Sequence, residues 1–353
     1  MLSKLMRRKR LVVPSLLGMA LIGMLSLTPL LNNAHAQAQV GKDALPPVKV
    51  LIITMFPPET QAWLSQGTWK LVSKSVGSID SDDGVVYCQI SNNKCNGVYL
   101  TRTGLDKVNA ATSMMAVLRD PHLSFKNAYF LTTGTAATPP YSEGTPGFVA
   151  WANWVIDRDQ GTHVIPETAP DYPLGYQPPN TSFPDNTANF HLNTELVQKA
   201  YDLTANLKLA DSPQAQAERK RYPDQANRKP VVARCDTVTS DSYIVGSKLS
   251  EQTKYIAAKL SDNSAHYCTM EDEDSAVTSV LHRFSFQPGG PNYLQCYLNL
   301  RGATTFDQPP PGQSVEEFIA EHFRVNDLVL GNIRLAASAV IEKYLLQHPC
   351  QND

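Results

Sequence analysis

The sequence has few charges, and they are nearly balanced. Charged residues make up 18% of the 353, with 31 Lys and Arg against 33 Asp and Glu and a net charge of -2. No basic stripe or arm stands out beyond the N-terminus, which argues against a nucleic-acid partner. Cys-x-x-Cys and His-x-x-x-His spacings are also missing, so we predict no bound metal. No internal repeat is evident.

Apolar runs long enough to span a membrane are missing after residue 39, so we predict no transmembrane helix in the mature chain. The first 39 residues are typical of a targeting segment: residues 4–10 are cationic, residues 11–31 are apolar, and Ala34-His35-Ala36 supplies a cleavage pattern. We predict a signal peptide at 1–36, a flexible mature N-terminus at 37–46, and a soluble exported protein that is periplasmic or extracellular. An uncleaved anchor is the alternative, which Pro14, Pro29 and the cleavage pattern disfavour.

All six cysteines lie in the mature part, and an even number in an exported chain permits three disulfides. Cys88 and Cys95 flank a turn-forming stretch at residues 91–94, so we expect them to staple a hairpin. Three pairings stay open for the remaining four: Cys235, Cys268, Cys296 and Cys350.

Strand patterns alternate with helical patterns along the chain. Residues 48–54 are β-branched, continuous and bounded by proline pairs, which predicts a buried strand. Further strands are predicted at 85–90 and 97–101 (a hairpin), 128–133, 148–156 and 162–165 (longer strands of the same sheet), 231–235 and 293–301. Helices are predicted at 59–66, 108–118, 195–209, 251–260, 276–284, 314–324 and 327–346, with a helix or exposed arm at 212–227.

One long segment interrupts this alternation. Residues 167–189 are rich in Pro and Asn with little periodicity, and a loop of that length is usually functional or mobile. We predict a single α/β domain at 47–353 with a Pro-rich insertion around 167–190. Its expected architecture is three-layer α/β/α, with helices on both faces of a mixed, mostly parallel central sheet.

Four adjacent acids, residues 271–274, follow a segment with strand propensity and precede a predicted helix. The simpler interpretation is an acidic first turn, because carboxylates favour the positive end of the helix dipole. The alternative makes one of them a substrate ligand at a strand-to-helix junction, where α/β proteins commonly place their sites.

Five short motifs stand at predicted strand ends. They are Thr103-Gly104-Leu105-Asp106-Lys107-Val108-Asn109-Ala110-Ala111, Thr133-Gly134-Thr135-Ala136, Thr239-Ser240-Asp241-Ser242-Tyr243, Met270-Glu271 and Thr305-Phe306-Asp307. In order and approximate spacing, over roughly residues 48–346, they resemble the nucleoside phosphorylase and nucleosidase superfamily. With the Pro-rich insertion and the segments TMEDED and FDQPPPG, the chain more narrowly resembles the purine nucleoside permease family, whose members share that fold.

The resemblance implies a site for purine nucleosides. Cleaving an N-glycosidic bond develops positive charge on the ribose and negative charge on the base, so a site needs an acid near the base and acceptors for the sugar hydroxyls. By resemblance, Asp307 would protonate the purine at N7 or form a hydrogen bond to it. Glu271 would accept hydrogen bonds from the ribose 2′ and 3′ hydroxyls, and Met270 would pack beneath the sugar. The other three acids of the run would then need no role beyond the helix dipole.

The resemblance also implies which residues surround the base and the N-glycosidic bond. Asp241 would bind the substrate, and Tyr243 of the same segment would stack on the base. Three residues would line the bond: Thr133, Gly134 and Thr135. Each assignment has an ordinary alternative, such as a turn glycine, an aspartate that caps a turn, or an aromatic ring that only packs.

The nucleophile separates hydrolysis from phosphorolysis. Phosphorylases bind phosphate with cations and a Gly-rich turn after the first strand, whereas residues 55–59 contain neither glycine nor arginine. Hydrolytic members place a carboxylate there to activate water, and Glu59 lies near that position. Asp106 replaces a family glycine and would repel phosphate. The candidate anion ligands are Arg102, with Gly104 of the same turn, and Arg119; the alternative is that these arginines only lie at the surface. The resemblance therefore favours hydrolysis or plain binding, with phosphate as a possible co-substrate and no other cofactor.

We expect an exported purine nucleoside-binding protein that cleaves the N-glycosidic bond and is linked to nucleoside uptake. A non-catalytic nucleoside receptor or transport component is the alternative, and an α/β protein with a different ligand is a third. The expected partners are purine nucleosides and a membrane transport component. A homo-oligomer is also expected, because related folds often assemble so that one subunit completes the site of another.

Overall fold

A large mixed sheet lies at the centre of the computed structural model, which describes residues 45–75, 83–180, 187–321 and 324–351. All of these residues belong to one unit that spans residues 44–353. The predicted signal peptide lies outside the described residues, as do most of the predicted flexible N-terminus and residues 181–186 of the Pro-rich insertion.

Within the described residues, twelve strands form the central sheet and two form a separate ribbon. In chain order the strands are β1 (Val50–Thr54), β2 (Thr68–Lys74), β3 (Val85–Ser91), β4 (Lys94–Arg102), β5 (Tyr129–Thr138), β6 (Val149–Trp151), β7 (Trp154–Asp157), β8 (Thr162–His163), β9 (Tyr176–Gln177), β10 (Asn189–His191), β11 (Val232–Arg234), β12 (Asp236–Thr239), β13 (Tyr267–Glu271) and β14 (Tyr297–Phe306). The ribbon consists of β8 and β9.

Strand β1 lies between β4 and β5 and is parallel to both. Its five residues are all buried, as expected of an apolar strand covered on both faces. Strand β5 is also parallel to β14, and β12 is parallel to β7 and β13. The antiparallel pairs are β2 with β3, β3 with β4, β5 with β13, β6 with β14 and β7 with β10. The predicted mixed, mostly parallel sheet is confirmed.

Helices cover this sheet. They are α1 (Pro57–Leu64), α2 (Asp106–Leu118), α3 (Thr194–Thr204), α4 (Pro213–Arg219), α5 (Ser247–Leu260), α6 (Asp274–Phe284), α7 (Val315–Glu321) and α8 (Asn326–Val340). Helix α8 packs on α1, α3 and β14, whereas α6 packs on α2, β7 and β12. In the described part of the chain, no helix combines the length and the apolar character that crossing a membrane requires.

Three predicted strands differ from the observed ones. The strand predicted at 293–301 begins only at Tyr297, because Tyr293–Cys296 form a 3₁₀ helix. The predicted strand at 148–156 is two strands, β6 and β7, because Asp236 Oδ1 accepts hydrogen bonds from the backbone N–H groups of Asn153 and Trp154 and turns the chain between them. The prediction that residues 162–165 belong to the same sheet is wrong. Thr162 and His163 are exposed and pair with β9 instead.

Three disulfides are present: one closes a hairpin, and two join segments that are distant in sequence. The predicted Cys88–Cys95 bridge is present across the β3–β4 hairpin. Cys235 pairs with Cys268, which ties the segment before β12 to β13. Cys296 pairs with Cys350, which holds the C-terminal segment to the start of β14.

Candidate functional site

A cavity of about 90 Å³ lies beyond the carboxyl ends of β1 and β13 and beside β5 and β14. Its lining is rich in carboxyl groups: Glu59, Glu271, Asp272 and Glu273. Arg301 of β14 supplies a buried cation among them. A small cavity at the carboxyl ends of parallel strands is where an open α/β sheet usually binds its ligand.

Arg301 is bound on all sides. Its Nε and Nη2 donate to the two carboxylate oxygens of Asp274, both at 2.8 Å. Nη2 also donates to Glu271 Oε2 at 3.1 Å and Glu273 Oε2 at 3.0 Å, and Nη1 donates to the carbonyl of Thr135 at 2.9 Å. The side chain is 1% exposed. Its charge is therefore used within the protein and is not available to an anionic ligand.

Several acids surround the single cation Arg301, and three of them have raised pKa values. Burial raises the pKa of Glu271 to about 7, and the nearby Asp274 carboxylate adds to the effect. Burial likewise raises the pKa of Glu273 well above its usual value and that of Asp272 to about 6, although Arg301 opposes both shifts. The interpretation of residues 272–274 as simple helix-dipole acids is wrong for Glu273 and Asp274. Both are buried and bound to Arg301.

Glu59 lies in the first turn of α1 and is 2% exposed. Its Oε2 accepts from the backbone N–H of Met55 at 2.8 Å, and its Oε1 accepts from the N–H and hydroxyl of Thr135 at 2.6 and 3.1 Å. Burial raises the pKa of this carboxyl, and the charge of Arg301 and the backbone donors oppose the shift. The carboxyl is fixed between β1 and β5 and lines the cavity.

Residues 133–135 of β5 serve different purposes. Thr135 lines the cavity, whereas the Thr133 hydroxyl accepts a hydrogen bond from Trp63 Nε1 at 3.0 Å and is buried. Gly134 leaves room for the guanidinium group: a Cβ at this position would lie 2.4 Å from Arg301 Nη1 and 3.2 Å from Glu59 Oε1. Glycine is needed here for close approach, whatever its role toward a ligand.

Met270 and Glu271 both line the cavity at the end of β13. Glu271 Oε2 accepts from the N–H groups of Glu273 and Asp274, both at 2.8 Å, in addition to Arg301. Its Oε1 accepts from the Thr239 hydroxyl at 2.6 Å and, more weakly, from that of Thr237 at 3.3 Å. These donors occupy most of the lone pairs of the Glu271 carboxyl group.

Asp307 follows β14 and is 1% exposed. Its Oδ2 accepts from the Ser250 hydroxyl at 2.5 Å and from the Tyr267 hydroxyl at 3.1 Å, whereas its buried Oδ1 has no partner within the described residues. Burial raises the pKa of this carboxyl to about 7. Asp307 does not belong to the cavity lining, but the Tyr267 hydroxyl that binds it also contacts Met270, which does.

The mouth of the cavity carries Tyr243, which is 56% exposed, and Arg324. Arg324 donates to the Tyr243 hydroxyl at 2.8 Å and lies over its ring at 5.3 Å. The cavity is much smaller than the roughly 300–1,000 Å³ of typical ligand pockets.

Asp241 lies outside the cavity lining. It accepts a hydrogen bond from the backbone N–H of Lys107 at 2.8 Å. The Lys107 ammonium group also binds Asp157 and Asp159, at 3.1 and 2.9 Å. Asp241 thus joins the start of α2 to the segment after β12.

Two of the candidate anion ligands, Arg102 and Gly104, lie away from the cavity. Arg102 donates to Asp83 at 2.7 Å and faces a second cavity beside α1, with Tyr87 and Pro57 in its wall. Gly104 has a φ of +84°, and a Cβ on it would lie 2.7 Å from Asp83. The turn therefore requires glycine at position 104. Neither Arg102 nor Gly104 lines the carboxyl-lined cavity.

Sequence reasoning missed Arg301 and its partners Glu273 and Asp274. A usable signal was present, because a lone arginine interrupts the otherwise uncharged residues 293–306. A charge within a fully buried strand requires a partner. The sequence could not show that this partner was the acid run, because the two segments are 27 residues or more apart.

Comparisons with known proteins agree with this architecture. A protein of Schizosaccharomyces pombe, named as a probable purine nucleoside permease, is 29% identical over 301 residues, which cover 80% of this chain and 85% of that protein. A purine nucleoside permease of Candida albicans is 29% identical over 306 residues, which cover 82% and 73%.

Among solved structures, 5′-methylthioadenosine/S-adenosylhomocysteine nucleosidases are similar in fold. The one from Neisseria meningitidis, in complex with methylthio-immucillin-A, has a TM-score of 0.52 at 14% identity, with 83% of this chain and 98% of that chain covered. The one from Colwellia psychrerythraea, in complex with adenine, has a TM-score of 0.52 at 13% identity, with 86% and 96% covered. At such identities the likeness establishes the fold, which is the expected nucleoside phosphorylase and nucleosidase fold.

The sequence pattern of the family described as purine nucleoside permease (NUP) matches residues 47–348, which include every strand and helix of the structure. The chain belongs to the purine nucleoside permease family.

Proposed function

We propose that this protein binds purine nucleosides in the carboxyl-lined cavity and hydrolyses their N-glycosidic bond. The substrate class is supported by the names of the family and of the relatives in yeast. The observation that carries the choice of water over phosphate is that the buried cation of the cavity is already paired. Four carboxyl groups line it, and its buried cation, Arg301, is already bound to three acids.

Phosphate is a poor nucleophile for such a cavity. A phosphate ion would have to lose its hydration in this cavity without a free buried cation to compensate, because Arg301 is held by its three acids. Arg102, the arginine proposed from sequence for anion binding, is paired with Asp83 and faces another cavity. Water carries no charge and meets no such barrier.

Glu59 is the proposed general base. Burial raises its pKa, which strengthens it as a proton acceptor, and it lines the cavity from a fixed position. It would take a proton from the water that attacks the ribose carbon. Asp307 is the proposed general acid, since its pKa of about 7 leaves much of it protonated at neutral pH and its Oδ1 is unbonded.

The sugar would lie against β13. Met270 supplies an apolar surface in the cavity, and Glu271 can accept from ribose hydroxyls as it shares its lone pairs with α6. The base would lie toward Tyr243, and Asp307 would reach N7 once the cavity widens beside Met270. Thr135, held by Glu59, borders the bond that breaks.

Base release distinguishes the reactions. Purified protein is incubated with inosine, adenosine and guanosine, with and without phosphate, and free base is measured by chromatography. We expect release that does not depend on phosphate, and its loss in Glu59→Gln with nucleoside binding retained. Glu316→Gln, an exposed acid of α7, is the matched control and should release base like the wild type. Release that requires phosphate would contradict hydrolysis.

A non-catalytic receptor is the second candidate. It is favoured by the position of Asp307, which lies behind the cavity lining. This role predicts that nucleosides raise the melting temperature, as ligand binding does by mass action, without any release of base. No melting shift with any purine nucleoside would contradict both candidates.

Export and a link to nucleoside uptake are part of the same proposal. The three disulfides are typical of an oxidising compartment. Mass spectrometry of protein from its native host should show a mature chain that begins at Gln37, and deletion should reduce nucleoside uptake. A chain that retains residues 1–36 would contradict cleavage. The membrane transport component and the homo-oligomer stay predictions.

A further inference from the structure

We propose that Ser250 and Tyr141 form a proton relay. The relay connects Asp307 to solvent at a surface separate from the carboxyl-lined cavity. The relay deepens the proposed function and rests on it, because it resupplies the proton that Asp307 gives to the leaving base. Its members are a helix residue of α5 and a tyrosine that follows β5.

Asp307 and Ser250 are both buried, at 1% and 0% exposure, so neither meets bulk water directly. The Ser250 hydroxyl donates to Asp307 Oδ2 at 2.5 Å. The Tyr141 hydroxyl lies 3.0 Å from the Ser250 hydroxyl and 3.1 Å from the Ser250 carbonyl oxygen. Three oxygen atoms therefore form a continuous hydrogen-bonded path from the buried carboxyl group outward.

The outer end of this path reaches the surface. Tyr141 is 45% exposed and lines a cavity of about 340 Å³ together with Tyr222, Pro140 and Pro309. None of the residues that line this surface cavity also lines the carboxyl-lined cavity. A bound nucleoside would fill the carboxyl-lined cavity, whereas the surface cavity beside Tyr141 would stay open to water.

The other hydrogen-bond partner of Asp307 does not lead outward. Tyr267 is 4% exposed, and beyond Asp307 its hydroxyl lies 3.8 Å from the thioether sulfur of Met270. A thioether is a weak acceptor and has no proton to give. Among the described residues, the path through Ser250 is the one that joins the carboxyl group of Asp307 to a partly exposed tyrosine.

The proton movements balance. Asp307 gives its proton to N7 as the bond between the ribose carbon and the base breaks, and water adds to that carbon as it loses a proton to Glu59. The Asp307 carboxylate then takes the proton of Ser250, which takes that of Tyr141, which takes one from solvent. Glu59 returns its proton to solvent, so the net reaction consumes one water molecule. Ser250 and Tyr141 end unchanged, as hydroxyl groups that donate and accept together.

Tyr141→Phe tests the relay, because it removes the hydroxyl from a partly exposed ring without touching Asp307. We expect kcat for base release to fall about tenfold, a part of the 10²–10⁴-fold that proton transfer contributes, with KM unchanged. The solvent deuterium isotope effect on kcat should rise. Small acids such as formic acid or imidazolium should restore kcat, because they can enter the open surface cavity. Tyr255→Phe, on α5 but without a contact to Asp307, is the control and should resemble the wild type.

A Tyr141→Phe protein with the wild-type kcat and isotope effect would overturn the relay while base release itself upheld the proposed function. If the wild type releases no base, the proposed function fails, and the relay is tested by hydrogen–deuterium exchange of the Asp307 carboxyl. Infrared difference spectra against Asp307→Asn identify its band. Slower exchange in Tyr141→Phe and in Ser250→Ala supports the path, and an unchanged exchange rate in both overturns it.

Discussion

Replacing Gly134 with alanine tests how tightly the buried ion pairs are packed. The added Cβ would lie 2.4 Å from Arg301 Nη1 and 2.9 Å from its Cζ, whereas carbon atoms in contact are about 3.5–4.0 Å apart. The guanidinium group has to move by about 1 Å to relieve this overlap. A free arginine could move at little cost, but this one is held by Asp274, Thr135 and the other acids.

The expected cost follows from that constraint. Overpacking a core by one methyl group costs about 1–3 kcal/mol. A shift that breaks one contact of the buried ion pair leaves a carboxylate without its partner, at a cost of about 3–5 kcal/mol for a complete loss. Partial relaxation lies between these limits, so we expect Gly134→Ala to lower the free energy of unfolding by about 2–4 kcal/mol.

Urea unfolding of the disulfide-bonded protein, followed by tryptophan fluorescence, measures this change. Gly331→Ala is the control, because this glycine lies within α8 with no atom near the added Cβ. Alanine there should raise the free energy of unfolding, by up to about 1 kcal/mol, through helix propensity. A Gly134→Ala protein within about 0.5 kcal/mol of the wild type, the usual range of surface substitutions, would refute the reasoning.

Three further predictions concern other regions. Burial raises the pKa of Asp307 from 3.8 to about 7, so its contribution to stability is complete below pH 3.8 and is lost as the pH rises through 7. Asp307→Asn should remove that pH dependence of the unfolding free energy, and a profile parallel to the wild type from pH 4 to 8 would contradict it. Replacing both Cys296 and Cys350 by alanine should cost about 4 kcal/mol, because the bridge closes a long loop; an unchanged urea midpoint would oppose this. Trp63→Phe removes the donor to the buried Thr133 hydroxyl and should lower the free energy of unfolding by about 2 kcal/mol. An unchanged melting temperature would contradict this prediction.

Local patterns were sufficient for much of the fold. The five buried residues of β1 and the alternation around Cys88 and Cys95 are short-range signals, and the structure contains both elements. Strand β2, in contrast, went unpredicted, because most of its residues are exposed or half-buried and carry no apolar alternation. The ribbon at Thr162–His163 was misassigned for a similar reason, since two exposed residues do not reveal which strand they pair with.

In the candidate site, too, the sequence predicted some features, and others depend on the packing of the fold. The sequence placed Glu59, Thr135, Met270 and Glu271 at strand ends, and the structure brings these four together around one cavity. It could not place Asp307 behind that cavity or show that Thr133 is engaged by Trp63, because both depend on how β14 and α1 pack.

The sequence by itself determined the class of the fold, the family and the positions of the polar motifs, because each is written in residue order and short-range periodicity. Only the tertiary structure decided which charges are free. Arg301 meets its acids across 27 or more residues of chain, and its burial with them turns a run of apparent helix-dipole acids into an ion-pair cluster. Partner choice of this kind depends on packing distances and desolvation, which no local pattern encodes.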